Sequence, residues 1–344
     1  MKSVYTISPL SLEGAPGKPR ADHPGRTTVR DFARPHRRGA RLPEFLESLP
    51  RVRAGSQLRE VIAAILRARV RQRMILWGLS GHVLRSGLGP LIVDLIVHGF
   101  AGGIAMDGAT LVHDFETAVT GKLSDDGEAA GPVADGVAEG TGLLINEMAA
   151  EAVRRGIGLG EAAGRLLSSG RVRVRHAADS LLIAAYQERV PVTVHLAIGV
   201  DTPDTHRAAD GASLGAASHH DFRLLCALVK QMHTGGVYLN WSSTALVPET
   251  FLKAASLVRD LGVPLRPITT ANFDLRRPGL LNLNGKRASA HSGSRAGSQG
   301  EQSRNYAIAG HHEIMLPLVA AALVEGASGV TLGGRRTSNA QMRP

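Results

Sequence analysis

Cysteines, aromatic residues and long apolar runs are scarce in this sequence. Its single cysteine, Cys226, excludes an intramolecular disulfide and fits a reducing compartment. No stretch contains the roughly 18 uncharged apolar residues that would cross a bilayer, and no compact hydrophobic segment typical of a secretory signal stands at the N-terminus. Aromatic residues make up only 4%, which leaves few platforms for stacked bases. We therefore expect a cytoplasmic protein without a membrane partner, and the composition argues against a nucleic-acid partner.

The glycine motifs of common nucleotide sites are missing too. No G-x-G-x-x-G follows a predicted strand, because Gly81, Gly87 and Gly89 have the wrong spacing. A G-x-x-x-x-G-K-[ST] phosphate loop is also absent. A nucleotide could therefore bind only in a variant manner, through small residues and helix N-termini at the ends of several strands.

The histidines do not form a metal motif. There is no H-E-x-x-H and no cysteine cluster. The pairs His219-His220 and His311-His312 are adjacent in sequence, and neighbours on a helix point about 100° apart, so such pairs seldom ligate one metal. We expect no metal site.

The chain is basic, with a formal net charge of +10, and the charge is unevenly distributed. Many arginines fall before residue 74 and in the last ten residues. Residues 1–40 combine arginine with proline and glycine, a composition that buries little surface. We interpret 1–40 as a flexible basic arm and 335–344 as a tail. A solvated arm is favoured over an arm that binds nucleic acid or an acidic partner.

Short apolar segments alternate with segments of helical periodicity. The predicted strands are 74–77, 102–108, 192–198, 236–240, 263–270 and 329–332. The predicted helices are one that starts at residue 56, then 91–97, 110–119, 133–155, 160–167, 221–232, 248–261 and 313–325. Loops are predicted at 122–131 and at 285–305, where serine, glycine and arginine dominate.

This alternation predicts an α/β fold: a Rossmann-like, mostly parallel sheet with helices on both faces, in a single domain over 41–334. Ligands of such folds bind outside the carboxyl ends of the strands. The loops expected around one crevice are 78–87, 107–114, 199–215, 241–247 and 269–275.

Five segments, in order along the chain, carry a resemblance to one family. They are 79–87 (LSGHVLRSG), 106–115 (MDGATLVHDF), 209–215 (ADGASLG), 268–274 (ITTANFD) and 310–318 (GHHEIMLPL). In these segments the sequence resembles the deoxyhypusine synthase family, in particular the bacterial deoxyhypusine synthase-like proteins.

The resemblance implies a transferase that uses NAD and forms a homotetramer with NAD at the subunit interfaces. In that family NAD oxidises spermidine, an active-site lysine captures the aminobutyl group as a Schiff base, and a protein lysine or a second polyamine accepts it. The cofactor-binding residues implied here are Ser80, His82, Ser86, Asp107, Gly108, Ala109, His113, Asp210, Thr270, Ala271 and His311. The catalytic residues implied are Lys286, Asp274 and Glu249.

The sequence departs from the family at several of these positions. Ala216 stands where the third segment of the family ends in an acid, and Val112 and His113 replace paired acids in the second segment. Between Asp274 and the last predicted helix the sequence has one lysine, Lys286, which lacks the family's preceding tryptophan. A Schiff-base lysine must be neutral to attack, which requires burial or a nearby cation.

Three functions therefore stay open. The first is an NAD-dependent transferase or dehydrogenase that acts on a polyamine or a related amine. The second is a homospermidine synthase-like enzyme. The third is a catalytically changed NAD-binding or scaffold protein that keeps the tetramer without the Schiff-base lysine.

Overall fold

The computed structural model describes residues 27–123, 139–242, 244–275 and 303–327. Lys286, the predicted strand 329–332 and the tail 335–344 lie outside the described residues. So do most of the predicted loops 122–131 and 285–305. Of the predicted arm only residues 27–40 are described, and nearly all of their side chains are exposed.

Among the described residues six strands form one sheet, and every neighbouring pair is parallel. The strands are β1 (Ile75–Leu79), β2 (Gly103–Asp107), β3 (Val192–His195), β4 (Val237–Trp241), β5 (Thr269–Asp274) and β6 (Arg304–Ala309). Their order in the sheet is β3-β2-β1-β4-β5-β6. This is the strand order of the Rossmann fold, so the predicted α/β class is confirmed.

Eleven α-helices surround this sheet within the described ranges. They are α1 (Leu42–Ser48), α2 (Arg53–Val70), α3 (Gly81–Arg85), α4 (Gly89–Val97), α5 (Gly108–Thr120), α6 (Glu139–Arg155), α7 (Leu159–Ser168), α8 (Leu181–Gln187), α9 (Gly211–Gln231), α10 (Leu246–Asp260) and α11 (His312–Ala327). Among the described residues, no helix combines the length and the apolar character needed to span a membrane.

The two faces of the sheet are buried in two separate cores, because side chains alternate along each strand. Trp77 and Leu239 belong to the larger core, which also holds residues of α2, α4 and α11. Leu76 and Tyr238 belong to the smaller core, with residues of α9 and α10. A sheet covered on both faces gives strands that are apolar along their length, and the side chains of β1 to β4 are all buried.

Two predictions about the second half of the sheet were wrong. The segment 269–275, predicted as a crevice loop, contains strand β5, and most of the predicted strand 263–270 precedes it. Strand β6 was not predicted at all, and its first two residues fall within the predicted loop 285–305. Helices α1 and α8 were also missed, and α9 starts ten residues before its predicted start at Asp221.

Candidate functional site

The carboxyl ends of all six strands lie along one edge of the sheet because the sheet is parallel. Successive strands run from β1 outward to β3, and the chain then returns to place β4 on the other side of β1. The loops after β1 and β4 thus lead away in opposite directions, and in open α/β sheets ligands bind in the crevice at this reversal. The residues that follow these strands are Ser80 and Ser242, and both side chains are buried.

Asp107, the last residue of β2, is a buried carboxylate beside this crevice, with 5% of its surface exposed. It caps α5 by accepting hydrogen bonds from the Thr110 amide (2.9 Å) and hydroxyl (2.6 Å). Burial raises the pKa of Asp107, opposed by the bonds from Thr110 and by the backbone N–H of Gly81. Its carboxyl group therefore joins the end of β2 to the first residue of α3.

Gly81 fixes a close approach between α3 and α5. A Cβ atom at Gly81 would lie 2.9 Å from Cδ2 of His113 and 3.0 Å from Cβ of Ala109, closer than ordinary contact. The structure thus brings Ala109 and His113, both expected at the cofactor, to the loop after β1. His113 is buried, and burial lowers its pKa, followed by the positive charge of Arg85.

A second carboxylate, Asp201, meets the start of α5, and sequence reasoning had not selected it. A Cβ at Gly108 would lie 2.7 Å from Cγ of Asp201, so α5 can approach only with glycine there. Asp201 accepts a hydrogen bond from the amide of Ala197 (2.6 Å). Burial raises the pKa of Asp201 to about 6, helped by the carboxylates of Asp107 and Asp204. Within the described ranges, no three His, Cys, Asp or Glu residues are grouped so as to hold a metal ion.

The end of β5 and the start of α11 form the other side of the crevice. The amide of Gly310 donates to the carbonyl of Asp274 (3.0 Å). Nε2 of the buried His312 lies 3.0 Å from the carbonyl oxygen of Phe273. The His312 ring is 5.8 Å, between centroids, from the rings of both His82 and Trp241. This histidine cluster, defined as His82, His312 and the neighbouring Trp241, therefore joins α3, β4 and α11.

Acidic and basic groups surround the exposed His82 ring. Partial burial lowers its pKa, as do His312 and Arg85, whereas Glu313 and Asp274 act to raise it. Glu313 also pairs with His311, with 3.3 Å between Oε1 and Nδ1. The predicted residues His82, Asp274 and His311 are thus near one another, and Trp241 and His312, which join them, were not selected from the sequence as site residues.

Several predicted site residues lie elsewhere or have a local role. Asp210 is exposed and caps α9, accepting from the amides of Ala212 (3.2 Å) and Ser213 (3.1 Å). Glu249 is exposed in the first turn of α10. Three other predicted residues are not part of the crevice walls described above. They are Ser86, which follows α3, and Thr270 and Ala271.

Thr270 and Ala271 were expected in a crevice loop, and that placement is wrong because both lie within β5. The Thr270 hydroxyl donates to the Asn305 side chain of β6 (2.7 Å). Ala271 is packed in the larger core. Both side chains are therefore committed to the sheet, several residues before its carboxyl edge.

A cleft of about 310 Å³ lies away from this edge, between α7, α8 and β3. Its lining includes Glu161, Tyr186, Arg189 and Pro191. Because Pro191 directly precedes β3, the cleft lies near the amino end of that strand, opposite the carboxyl edge. The histidine cluster and Asp107 do not line it.

Asp114, within the second segment of the family resemblance, stabilises a helix. Its buried carboxylate accepts hydrogen bonds from the Ser180 hydroxyl (2.6 Å) and from the amides of Leu181 (2.8 Å) and Leu182 (3.1 Å), at the start of α8. Burial raises its pKa to about 6. Its role is to satisfy N–H groups that a helix leaves unpaired in its first turn.

We expect Asp114→Ala to lower the free energy of unfolding by about 3 kcal/mol, because it leaves buried donors unpaired. The exposed cap Asp210 offers a matched comparison, and Asp210→Ala should cost only about 1 kcal/mol. Urea unfolding of both variants measures the difference. Equal losses in the two variants would contradict the assigned role of Asp114.

No protein-family model matches this sequence, and no curated protein sequence matches it either. Solved structures with a similar chain path include a LOR/SDH-like protein from Methanococcus maripaludis S2, with 15% identity, a TM-score of 0.49, and coverage of 78% of this chain and 69% of that one. Unliganded AgrE has 16% identity and a TM-score of 0.49, over 79% of this chain and 33% of AgrE. A deoxyhypusine synthase from Entamoeba histolytica has 10% identity and a TM-score of 0.45, over 84% of this chain and 94% of that one. This chain therefore spans about a third of the length of AgrE.

Proposed function

We propose that this chain binds a nicotinamide dinucleotide across the carboxyl ends of β1 and β4 and uses it to oxidise an amine. The observation that carries the proposal is the position of Asp107. It ends the strand next to β1 in a sheet of Rossmann order, at the edge where such sheets bind dinucleotides.

The residues present fit the ribose end of a dinucleotide. In dinucleotide-binding sheets, an acid about 20 residues after the first turn accepts hydrogen bonds from ribose hydroxyls. Asp107 follows the β1 turn in this manner, and it is already held in place by Thr110. The turn after β1 has one glycine, Gly81, which serves the contact with α5. The pyrophosphate would therefore be held in a variant manner, as the sequence predicts.

The other wall of the crevice offers polar atoms that lack a partner. Nε1 of Trp241 and Nδ1 of His312 are buried and make no hydrogen bond within the part of the chain that the structure describes. Buried polar atoms are nearly always paired. An indole N–H fits a group that accepts a hydrogen bond, such as the carboxamide oxygen of nicotinamide.

The charges near the histidine cluster suit an amine substrate. When bound, a nicotinamide ring takes two electrons and one hydrogen from the carbon next to the amine. The carboxylates of Asp274 and Glu313 attract the positive charge of the amine to this side of the crevice. Carbonyl and carboxylate groups at the end of β5 then orient it toward the ends of β1 and β4.

The finer reaction rests on the sequence resemblance. It would make the amine a polyamine such as spermidine, and the reaction an aminobutyl transfer to a protein lysine or a second amine. Lys286 would be the nucleophile in that reaction, and it lies outside the described residues. The homotetramer belongs to the same part of the proposal.

Calorimetric titration with NAD tests the proposal. We expect Asp107→Asn to weaken NAD binding by roughly 10-fold or more, because a charge-assisted hydrogen bond to ribose is lost. Asparagine still caps a helix, so α5 should stay folded. Asp94→Asn on the exposed face of α4 is the control and should leave the affinity unchanged.

Asp210→Asn tests the alternative that Asp210, which was also selected from the sequence as a cofactor-binding residue, is the acid that binds the ribose. A loss confined to Asp210→Asn would overturn Asp107 as the ribose acid. Absence of NAD binding by the wild-type protein would overturn the enzyme function and leave a scaffold protein with this fold. NADH formed in the presence of spermidine, detected by its absorbance, would support oxidation of the amine.

A further inference from the structure

The hydrogen bond of His312 to the main chain determines which of its nitrogens carries hydrogen. A carbonyl oxygen only accepts, so the 3.0 Å contact with Phe273 requires a hydrogen on Nε2 of His312. In the neutral ring Nδ1 is then an acceptor. That Nδ1 atom is buried and makes no hydrogen bond to any described residue. The buried ring therefore presents one unused acceptor.

The ring of His82 is the neighbouring group that can use this acceptor. The two imidazole centroids are 5.8 Å apart with a 59° angle between the ring planes. At this separation an N–H of His82 reaches Nδ1 of His312 after a small rotation or through one water. A histidine that donates from one nitrogen keeps a lone pair on the other. Since His82 is exposed and His312 is buried, the free lone pair belongs to the residue that solvent and substrate can reach.

The groups around His82 favour its neutral form. From α11 it faces His312 and Glu313, from its own helix Arg85, and from the end of β5 Asp274. Partial burial is the largest effect and lowers its pKa, and repulsion from His312 and Arg85 acts in the same direction. The two carboxylates oppose this shift. A neutral imidazole near pH 7 is a suitable proton acceptor.

We infer that His82 accepts the proton of the amine substrate, and that His312, held by the carbonyl of Phe273, is the residue that positions it. The inference rests on the proposed function and adds its general base. The substrate enters as R–CH2–NH3⁺ and loses one proton to His82. Its C–H bond then breaks, with two electrons and the hydrogen passing to the nicotinamide dinucleotide, and R–CH=NH2⁺ remains. The carbon is oxidised, the dinucleotide is reduced, and His82 leaves the step as imidazolium.

Two substitutions at His312 separate positioning from packing. Glutamine places an amide N–H near the position of Nε2, so His312→Gln keeps a donor toward Phe273 and removes the acceptor toward His82. Asparagine places an oxygen near the position of Nδ1, so His312→Asn keeps the acceptor and removes the donor. If the role of His312 is purely structural, His312→Gln should be tolerated at least as well as His312→Asn. A positioning role predicts the reverse.

The first readout is NMR of full-length protein with ¹⁵N-labelled histidine, without ligand. We expect His312 to carry its hydrogen on Nε2, and His82 to show one dominant tautomer in the wild type and in His312→Asn. In His312→Gln both tautomers of His82 should be populated. His98→Gln, which changes an exposed histidine directly after the last residue of α4, is the control and should leave His82 unchanged. An unchanged His82 tautomer in His312→Gln would overturn the positioning role.

The second readout is oxidation of spermidine with NAD. His82→Ala should lower kcat by roughly 100-fold or more, the usual contribution of a general base, while NAD affinity changes by less than about threefold. Added imidazole should restore part of the rate. His312→Gln should lower kcat more than His312→Asn and leave KM unchanged.

The inference and the proposed function fail in different ways. A wild-type protein that binds no NAD overturns the proposed function. The NMR experiment needs no ligand, so it tests the positioning of His82 by His312 independently of NAD binding. If the His82→Ala variant binds NAD and oxidises spermidine as well as the wild type does, only the inference about His82 is overturned. If NAD binds and spermidine yields no NADH, the amine reaction is wrong, and the role of His82 in it is wrong too.

Discussion

Replacement of Gly160 by alanine is expected to lower the free energy of unfolding by about 3 kcal/mol, among the largest effects of any single methyl group here. A Cβ at this position would overlap the main-chain carbonyl of Val192 in the edge strand β3. Helix α7 cannot shift to relieve the overlap, because the amide of Gly160 donates to the buried carboxylate of Asp221 (3.0 Å). The clash therefore strains both the strand and the hydrogen bond.

Gly215 in α9 is the matched control. It also lies in a helix, but a Cβ there would meet no atom within 4 Å. Gly215→Ala should raise the free energy of unfolding by about 0.5 to 1 kcal/mol, because alanine favours the helix and restricts the unfolded chain. Urea unfolding of the two variants gives both values. A stable Gly160→Ala protein would show that α7 and β3 are not in the contact described.

Apolar runs predicted the first four strands well. Segments such as 74–77 and 192–198 are apolar because both faces of the sheet are covered, and a strand of that kind is visible in sequence as a short hydrophobic run. The strand order could not be predicted in the same way, because it depends on contacts between segments that are far apart in sequence.

The last two strands escaped prediction because polar residues fill one of their faces. Asn272 of β5 accepts a hydrogen bond from Asn240 of β4 (2.7 Å), and Thr270 donates to Asn305 of β6 (2.7 Å). These residues satisfy one another inside the sheet, so hydropathy alone assigns them to a loop. The apolar residues Val263 and Leu265, chosen instead as strand, pack against the smaller core outside any strand.

Residues of the candidate site were easiest to predict where they end a strand. Asp107 and Asp274 close β2 and β5, and sequence reasoning selected both. Asp201 was missed because it lies in a loop after β3 that folds back on α5. Its contact with α5 depends on Gly108 having no side chain, and the sequence does not show which residue faces that glycine. Trp241 and His312 were missed because their meeting depends on how α11 begins above the end of β5. Side chains that meet across three elements leave no pattern in the sequence.

Asp221, which lies beside the edge strand β3, makes the free energy of unfolding depend on pH. It lies on α9 with no exposed surface, and it accepts hydrogen bonds from the amides of Gly160 (3.0 Å) and Val194 (2.9 Å). Burial nevertheless raises its pKa to about 7, against the opposing effect of these bonds. The carboxyl group therefore keeps its proton in the folded protein well above the pH at which it loses it in the unfolded chain.

This shift makes the contribution of Asp221 to stability fall as pH rises. Above the ordinary value of 3.8 the unfolded chain is ionised while folded Asp221 stays protonated, so the folded state binds more protons and stability falls until about pH 7. The buried Asp114 and Asp201 act in the same direction, but their pKa values of about 6 end their effect earlier. Between about pH 6 and pH 7 Asp221 contributes a fall of about 1 kcal/mol, and the buried His195 and His113, whose pKa values burial lowers, act in the opposite direction.

Over the wider range from about pH 5 to pH 7, Asp221 alone should lower the free energy of unfolding by roughly 2 to 3 kcal/mol. Asp221→Asn mimics the protonated carboxyl, keeps an oxygen for Gly160 and Val194, and should remove that part of the slope. The exposed variant Asp94→Asn should keep the wild-type slope. Urea unfolding across this range measures all three proteins. Equal slopes for the wild type and Asp221→Asn would show that Asp221 is ionised in the folded state, with its charge stabilised by the amides at the start of α7.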